Sequence, residues 1–516
     1  MESRLPLGVQ TFSEISEDGL AYADKTKRIY RLVTGSGKFV FLARPHRFGK
    51  SLLCSTLVAL FEGRRELFAG FEIDKLDWKW KKHPVIHINL KPANYFNGTA
   101  ELLSVIRGYL REAARKAGVQ LIEDTVSSQF ARLIHDAYKE CGERAVVIID
   151  DYDKPLLDTM DRREIHEALK NELRGFYGVL KSSDEYLRFV FVTGITNFSR
   201  VSAFPQLNTL NDISFNPAYC DLCGVTQEEM EIYFAPEINH IVSEIEEEKY
   251  NYFMRLTRFY NGYRFSESNI TVYNPCGLLN HFYNRGKFKT YCFASGVPEF
   301  LIKLMAEQNI NIVNLESSKV SLVDFQVFDP EKMNVLVLLY QLGYLTISDY
   351  NDEAGLYILN FPNYEVHSAF ARSLLGYYCK ISGGEYAQNA LLFALVEGGV
   401  DDVMSAVWTT FAYVSDMRPG DEAYYKTVVY LLFRALGLFF FSDLRVYDKW
   451  IDAVIETKKY VYCFVFGLAD NAEEALDRID GSDYPSSWKD CGKKLFRIGV
   501  GFDYEKQNIK EWRVAK

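Results

Sequence analysis

Four side chains of this 516-residue chain have the types and order that phosphate chemistry needs. Lys50 and Ser51 follow Gly49, and far downstream Asp150 and Asp151 close a run of apolar residues. A lysine so placed would reach the β- and γ-phosphates of a nucleotide, and the serine hydroxyl would sit on Mg²⁺. The first carboxylate would hold that ion directly or through water, and the second acid would orient or deprotonate an attacking water.

Such residues work only if elements position them. Phe39 to Ala43 is an apolar run that reads as a buried parallel strand. A tight turn follows, and Gly49-Lys50-Ser51 opens a helical pattern with apolar Leu52, Leu53, Leu57 and Leu60. Strand, turn, Gly-Lys-Ser and helix form the P-loop arrangement, in which backbone N–H groups and the helix dipole face anionic phosphate. The expected nucleotide contacts are therefore Arg44, Pro45, His46, Arg47, Phe48, Gly49, Lys50, Ser51 and Leu52. The pattern asks for glycine where Arg44 stands. Arg44, His46 and Arg47 add positive character that would also face phosphate. The nearby Gly35-Ser36-Gly37-Lys38 precedes the strand and has Phe39 in place of a hydroxyl residue, so it reads as a turn.

Arg144 to Asp150 is a second apolar strand, ending in two carboxylates. By itself it is a strand with an acidic cap. With a P-loop upstream and a βα unit between, it reads as a Walker B strand. Leu187 to Gly194 is a third such strand. In ATPases that insert a strand between P-loop and Walker B strands, its end senses the γ-phosphate. Thr193, Thr196 or Asn197 would do so here, with Arg200 close behind; a plain Ser/Thr/Asn turn is the other reading. The expected metal ligands are Ser51 and Asp150, the expected catalytic residues Asp151, Thr193 and Asn197, and the expected cofactors ATP and Mg²⁺.

Composition sets outer bounds. Hydrophobic content of 48% and charged content of 25% are ordinary for a globular protein, while 34 Tyr and 37 Phe point to large aromatic cores. No apolar run approaches a membrane span, and the N-terminus lacks a signal-peptide apolar segment. Nine scattered cysteines argue for reduced thiols and a cytoplasmic location. Cys220-Asp-Leu-Cys223 has no second pair or histidine cluster near it, so it is a weak metal or redox signal. Net charge of −10 disfavours indiscriminate nucleic-acid binding but leaves room for a local basic groove.

Beyond the P-loop region, helices are expected at about Lys27–Thr34, Thr99–Ala117, Asp124–Lys139 and Asp161–Lys181, with a strand at Pro84–Leu90. From Val225 the pattern turns to short helices and aromatic turns, opened by the capping-box-like Thr226-Gln-Glu-Glu229. Val335–Tyr344 and Leu356–Leu359 suggest the helix and strand of a small helical or winged-helix lid. After further helices, a block from Ala423 reads as helix, three antiparallel strands, helix, strand, the layout of a restriction-endonuclease-like core.

These pieces together resemble a bacterial family in which an AAA-ATPase-like domain is fused to a PD-(D/E)XK nuclease-superfamily domain. The resemblance covers nearly the whole chain. It is carried by Tyr22-Ala-Asp-Lys-Thr26, Arg44-Pro-His-Arg-Phe-Gly-Lys-Ser51 and Ile149-Asp-Asp-Tyr-Asp-Lys-Pro155, and also by Thr193 to Ser202, Leu210-Asn-Asp-Ile213 and Tyr260-Asn-Gly-Tyr263. The family's own P-loop has arginine at the Arg44 position. It implies an α/β fold with a P-loop NTPase (AAA-like) domain at 1–222, a helical or winged-helix lid at 223–385 and a restriction-endonuclease-like α/β domain at 386–516.

Two departures matter. The family has glutamate where Asp151 stands, and an acid one methylene shorter holds water less well. A PD-(D/E)XK site also needs an Asp and, on the next strand, Glu-x-Lys; the acids bind Mg²⁺ and the lysine supports the attacking water. Asp452 aligns with the first acid. The Glu-x-Lys falls on Val465-Phe466-Gly467, where neither functional side chain exists. Lys449-Trp450 replaces the preceding Gly-Arg, and Arg478 stands at the helix glutamine. Glu456-Thr-Lys458 spells the motif, but its acid would lie about 13 Å from Asp452 on one strand, too far to share a metal. The expectation is a nucleotide-binding, slow Mg-dependent ATPase whose degenerate nuclease domain, with Asp452, Val465 and Gly467 at its former centre, serves as scaffold or surface for a protein or nucleic-acid partner. The alternatives are a non-hydrolysing nucleotide switch and an active nuclease coupled to ATP; an oligomer stays open.

Overall fold

The computed structural model describes residues 5–35, 37–197, 209–293, 296–310, 312, 315–326, 334–379, 384–412, 422–436, 439–446, 449–467, 471–480, 492–503 and 508–515. The chain divides into two compact units, one of residues 1–292 and 316–363, the other of 293–315 and 364–516. The expected boundary at 222/223 falls inside the first unit, and that at 385/386 falls inside the helix Gly384–Glu397.

The first unit is built on five parallel strands: β1 (Phe39–Ala43), β2 (Val85–Asn89), β3 (Ala145–Asp150), β4 (Leu187–Gly194) and β5 (Asn211–Asp212), in spatial order β2-β3-β4-β1-β5. The inserted strand of the sequence reading is β4, which lies between the P-loop strand β1 and the acidic strand β3. Every residue of β3 is buried, as its unbroken apolar run requires when helices cover both faces of a parallel sheet. Full burial of each Val or Ile there contributes about 1.5–3 kcal/mol relative to exposure. Register sets Asn89 beside Asp150, and Ala43 beside Gly194, so the carboxyl ends of these strands share one edge. That edge is where open α/β sheets bind ligands.

The helices Lys50–Phe61, Thr99–Ala117, Val126–Cys141 and Arg163–Ser182 follow the expected positions to within a few residues. Thr226 caps the helix Gln227–Tyr233 through a complete capping box with Glu229. That helix and those at Ala235–Ile245, Lys249–Tyr260 and Pro275–Tyr283 share an aromatic core that includes Phe234, Tyr252, Tyr260, Tyr273 and Phe282. The unit ends in an antiparallel sheet of β6 (Ser318–Ser321), β7 (Thr346–Asn351) and β8 (Leu356–Asn360) beside the helix Val335–Gln341. Gly262, at φ 95°, passes so close to this region that a Cβ would sit 1.9 Å from the Pro362 carbonyl oxygen, which explains the glycine of Tyr260-Asn-Gly-Tyr263.

In the second unit, the helix Glu422–Ala435 leads into β9 (Phe439–Val446), β10 (Lys449–Glu456) and β11 (Tyr460–Gly467), an antiparallel run as expected. The helix Ala472–Asp480 then crosses over to β12 (Lys494–Asp503), parallel to β11. A fifth strand, β13 (Asn508–Ala515), pairs with β12 and was not foreseen. Its polar and basic residues, Lys510, Glu511 and Arg513 among them, hide the alternation of an edge strand.

Candidate functional site

The loop from Arg44 to Gly49 joins β1 to its helix through two left-handed residues, Arg47 at φ 67° and Gly49 at φ 91°. The Lys50 ammonium folds back over this loop and donates to the carbonyl oxygens of Arg44 and Pro45, each at 3.0 Å. The loop is thereby cinched around the cation that the sequence assigns to phosphate.

Opposite the loop lie the two acids. Asp150 is fully buried; Asn89 donates to its Oδ2 at 3.4 Å, and its Oδ1 has no hydrogen-bond partner among the described residues. Burial, and then the like charge of Asp151, push the Asp150 carboxyl up to about 6, while the Ser51 hydroxyl and the Lys50 ammonium pull it back. Ser51, Lys50, Asp150 and Asp151 thus converge, as their spacing predicts. Asp151 turns the chain out of β3 at φ 50° and is buried to 5% exposure. A buried carboxylate oxygen without a partner, beside a serine hydroxyl and a second acid, is a donor set that fits a hard divalent cation.

The end of β4 behaves differently from expectation. The Thr193 hydroxyl donates to the Leu42 carbonyl at 2.7 Å, and the Asn197 amide donates to Asp212 at 2.6 Å. The two side chains tie the end of β4 to β1 and to β5, so these donors serve the scaffold. Thr196 donates both its N–H (2.6 Å) and its hydroxyl (2.5 Å) to Asp153, and the Ile195 N–H joins them at 2.9 Å. Burial pushes Asp153 up to about 6 against those bonds. Gly194 makes this junction possible, since a Cβ there would meet Asp153 at 2.4 Å and Tyr152 at 2.5 Å. Arg200 lies outside the described residues.

Three of the expected loop contacts also have other duties. The Arg44 side chain is only 1% exposed; its guanidinium donates to the carbonyls of Ala43, Ser214 and Tyr219 and lies over the Phe265 ring at 4.3 Å. It cannot reach an outside anion, which corrects the expectation that its charge faces phosphate. Phe48 is buried edge-on against Tyr263 and Phe265. Arg47 reaches sideways to the carbonyls of Cys292 (2.9 Å) and Tyr291 (3.4 Å). His46 is different. It is exposed, and partial desolvation together with the charges of Lys50, Lys91, Lys154 and Arg47 holds its imidazole below the usual histidine range. Lys91, just after β2, and Lys154, just after Asp153, were missed as members of this cationic rim. Only Lys154 had a signal, inside Ile149-Asp-Asp-Tyr-Asp-Lys-Pro155.

Beside the loop, Phe48, Gly49 and Leu52 form one wall of an apolar cavity of about 100 Å³, faced by Tyr22, Leu222 and Leu278. Tyr22-Ala-Asp-Lys-Thr26 is a clamp at its edge. Asp24 accepts the N–H groups of Thr26 and Glu72, and Lys25 donates to Glu229 at 2.5 and 2.7 Å. Cys220 and Cys223 are buried, and burial raises the Cys223 thiol.

In the second unit β10 pairs Ala453 with Phe464 of β11, and the same register continued one residue sets Asp452 across from Val465. The Asp452 carboxylate accepts the Phe466 N–H at 2.7 Å. Val465 belongs to a buried cluster with Val454, Val461, Cys463 and Ala475. Glu456 ends β10, pairs with Lys493 and precedes the turn into β11, as the hairpin reading expects. The side chains of Lys449, Trp450 and Arg478 lie outside the described ones.

The chain matches a family described as predicted AAA-ATPase over residues 6–204 and the PD-(D/E)XK nuclease superfamily over residues 420–512. It therefore belongs to the family that joins an AAA-ATPase-like domain to a PD-(D/E)XK nuclease-superfamily domain in one chain. Along its whole length it is similar to an uncharacterized protein in the vnfD 5′ region of Azotobacter chroococcum mcd 1, with 32% identity over 529 residues and 98% of each chain covered. An ATPase-like domain implies nucleotide binding. Among the described residues no helix is long and apolar enough to cross a membrane.

Proposed function

We propose that the first unit binds ATP with Mg²⁺ and hydrolyses it slowly, and that the nuclease-like domain has lost its metal chemistry and acts as a scaffold or binding surface. The observation that carries the first part is the buried oxygen of Asp150 beside Ser51 that has no partner among the described residues. Ser51 and Asp150 would hold Mg²⁺, which supplies charge neutralisation on the phosphates. Lys50, released from the Arg44 and Pro45 carbonyls, would bind phosphate together with the N–H groups at the start of the helix Lys50–Phe61. The apolar cavity beside Phe48 and Leu52 suits a nucleobase, and Lys91 and Lys154 add positive charge at the rim.

Asp151 is the group left to orient water. Its carboxylate is one methylene shorter than glutamate, and misplacement on the order of 1 Å can cost ~100-fold in rate, which favours slow turnover. Release of inorganic phosphate from ATP, compared between wild type and Asp151→Asn, tests this reading. Slow release that disappears in the variant supports an ATPase. Tight binding with no release in either protein favours the second reading, a nucleotide-controlled switch; the commitment of Thr193 and Asn197 to neighbouring strands supports that alternative.

The second part of the proposal rests on Val465 and Gly467. A valine at the acid position packs into apolar core, and glycine offers no ammonium to support a nucleophile. Asp452 alone cannot supply the ligand set of a nuclease centre.

A further inference from the structure

Cys276 lies beside the P-loop in a setting made for a thiolate. It is the second residue of the helix Pro275–Tyr283, where the helix dipole favours negative charge. Its sulfur meets the Arg47 guanidinium at 3.8 Å and the Asn280 amide at 3.7 Å, and the Cys292 thiol is within hydrogen-bonding reach. Asn274, the helix cap, accepts the Cys276 N–H at 2.9 Å and the Cys292 S–H at 3.7 Å, which holds the two cysteines side by side. Among the described residues, Arg47 and Cys292 are the charged and titratable groups that act on the Cys276 sulfur. Cys276 itself is partly open to solvent, whereas Cys292 is buried.

We propose that Cys276 and Cys292 are a reactive thiol pair that takes hydroperoxides, Cys276 as the attacking thiolate and Cys292 as the resolving thiol. The Cys276 thiolate attacks the terminal peroxide oxygen; an S–O bond forms, the O–O bond breaks, and the leaving alkoxide takes a proton from water. Cys292 sulfur then displaces hydroxide from the Cys276 sulfenic acid, which leaves a disulfide and water. Two thiols are oxidised and one peroxide is reduced to an alcohol and water. The Cys292 thiol first, and then Arg47 and Asn280, keep the Cys276 thiol low, at about 6, even though burial works the other way. The disulfide would remove the anionic partner of a P-loop arginine, so the loop would sense the oxidation.

The test uses the full-length reduced protein, with iodoacetamide and hydrogen peroxide as probes and peptide mass spectrometry as the readout. Cys141, which is exposed, is the internal comparator. At pH 6.5 Cys276 is expected to alkylate roughly tenfold faster than Cys141, the gain in thiolate fraction outweighing its lower nucleophilicity. Arg47→Gln should slow Cys276 alkylation without changing that of Cys141. Hydrogen peroxide should link Cys276 to Cys292, and Cys292→Ser should stop at a Cys276 sulfenic acid trapped by dimedone. Alkylation of Cys276 no faster than of Cys141, or peroxide oxidation that bypasses the pair, overturns the proposal. Neither readout depends on nucleotide binding.

Discussion

The Asp452 carboxylate of β10 accepts the Phe466 N–H of β11, and the β10–β11 register, continued one residue beyond the Ala453–Phe464 pair, sets Asp452 across from Val465. Val465, which we propose stands where a nuclease centre would place its second acid, lies in apolar core. The protein is expected not to cut DNA or RNA in Mg²⁺ or Mn²⁺, with wild type and Asp452→Ala indistinguishable in a gel assay. Metal-dependent cutting abolished by Asp452→Ala would reverse this. Val465→Glu should not restore activity. It would bury an unpaired carboxylate among Val454, Val461 and Cys463 and destabilise the unit by roughly 3 kcal/mol or more, seen as a lower urea midpoint.

Asp150 gives a pH dependence with a definite sign. Its folded pKa, about 6, lies above the usual unfolded value, so the fold favours the protonated form. The associated stability is present below about pH 4 and is lost as pH rises through 6. Asp150→Asn should therefore stabilise the ligand-free protein at pH 8, by on the order of 1–3 kcal/mol, and have little effect near pH 4.5. Thermal melts of both proteins at the two pH values check this. A variant less stable than wild type at pH 8 would mean that the Asp150 charge is satisfied within the fold.

Lys25 and Glu229 join the Tyr22-to-Thr26 segment to the capped helix Gln227–Tyr233, and both side chains are buried. Lys25→Ala should cost about 2–4 kcal/mol, because the buried Glu229 carboxylate loses its close cation and keeps only the Arg28 guanidinium at 3.9 Å and the Thr226 N–H. The double change Lys25→Met with Glu229→Gln should recover much of that loss. Equal melting of wild type and Lys25→Ala would show that Arg28 or water takes the place of the ammonium.

The elements that carry this site were legible because their signals are local. Five unbroken apolar residues before Arg-Pro-His-Arg-Phe-Gly-Lys-Ser fix β1 and its turn, and Ala145 to Asp150 can only be a strand buried on both faces. The meeting of Ser51 with Asp150 followed from motif order. What sequence left unread are contacts made over long separations. Nothing in Arg44 says that its guanidinium will be caged by Ser214 and Tyr219, or in Thr193 that its hydroxyl will turn to Leu42. Strands β7 and β13 were missed because edge strands carry too many polar residues to alternate cleanly. Cys276 and Cys292 come together only because Asn274 and Arg47 hold them, a tertiary fact without a spacing rule.

The central claim, nucleotide held by the loop around Lys50 with Mg²⁺ between Ser51 and Asp150, is tested most directly by equilibrium binding of ATP with and without Mg²⁺. The measurement compares wild type, Lys50→Ala and Asp150→Asn. Saturable binding is predicted for wild type, strengthened by Mg²⁺; Lys50→Ala should abolish it, and Asp150→Asn should bind with no response to Mg²⁺. Wild type that fails to bind ATP, or binding that survives Lys50→Ala unchanged, would contradict the account.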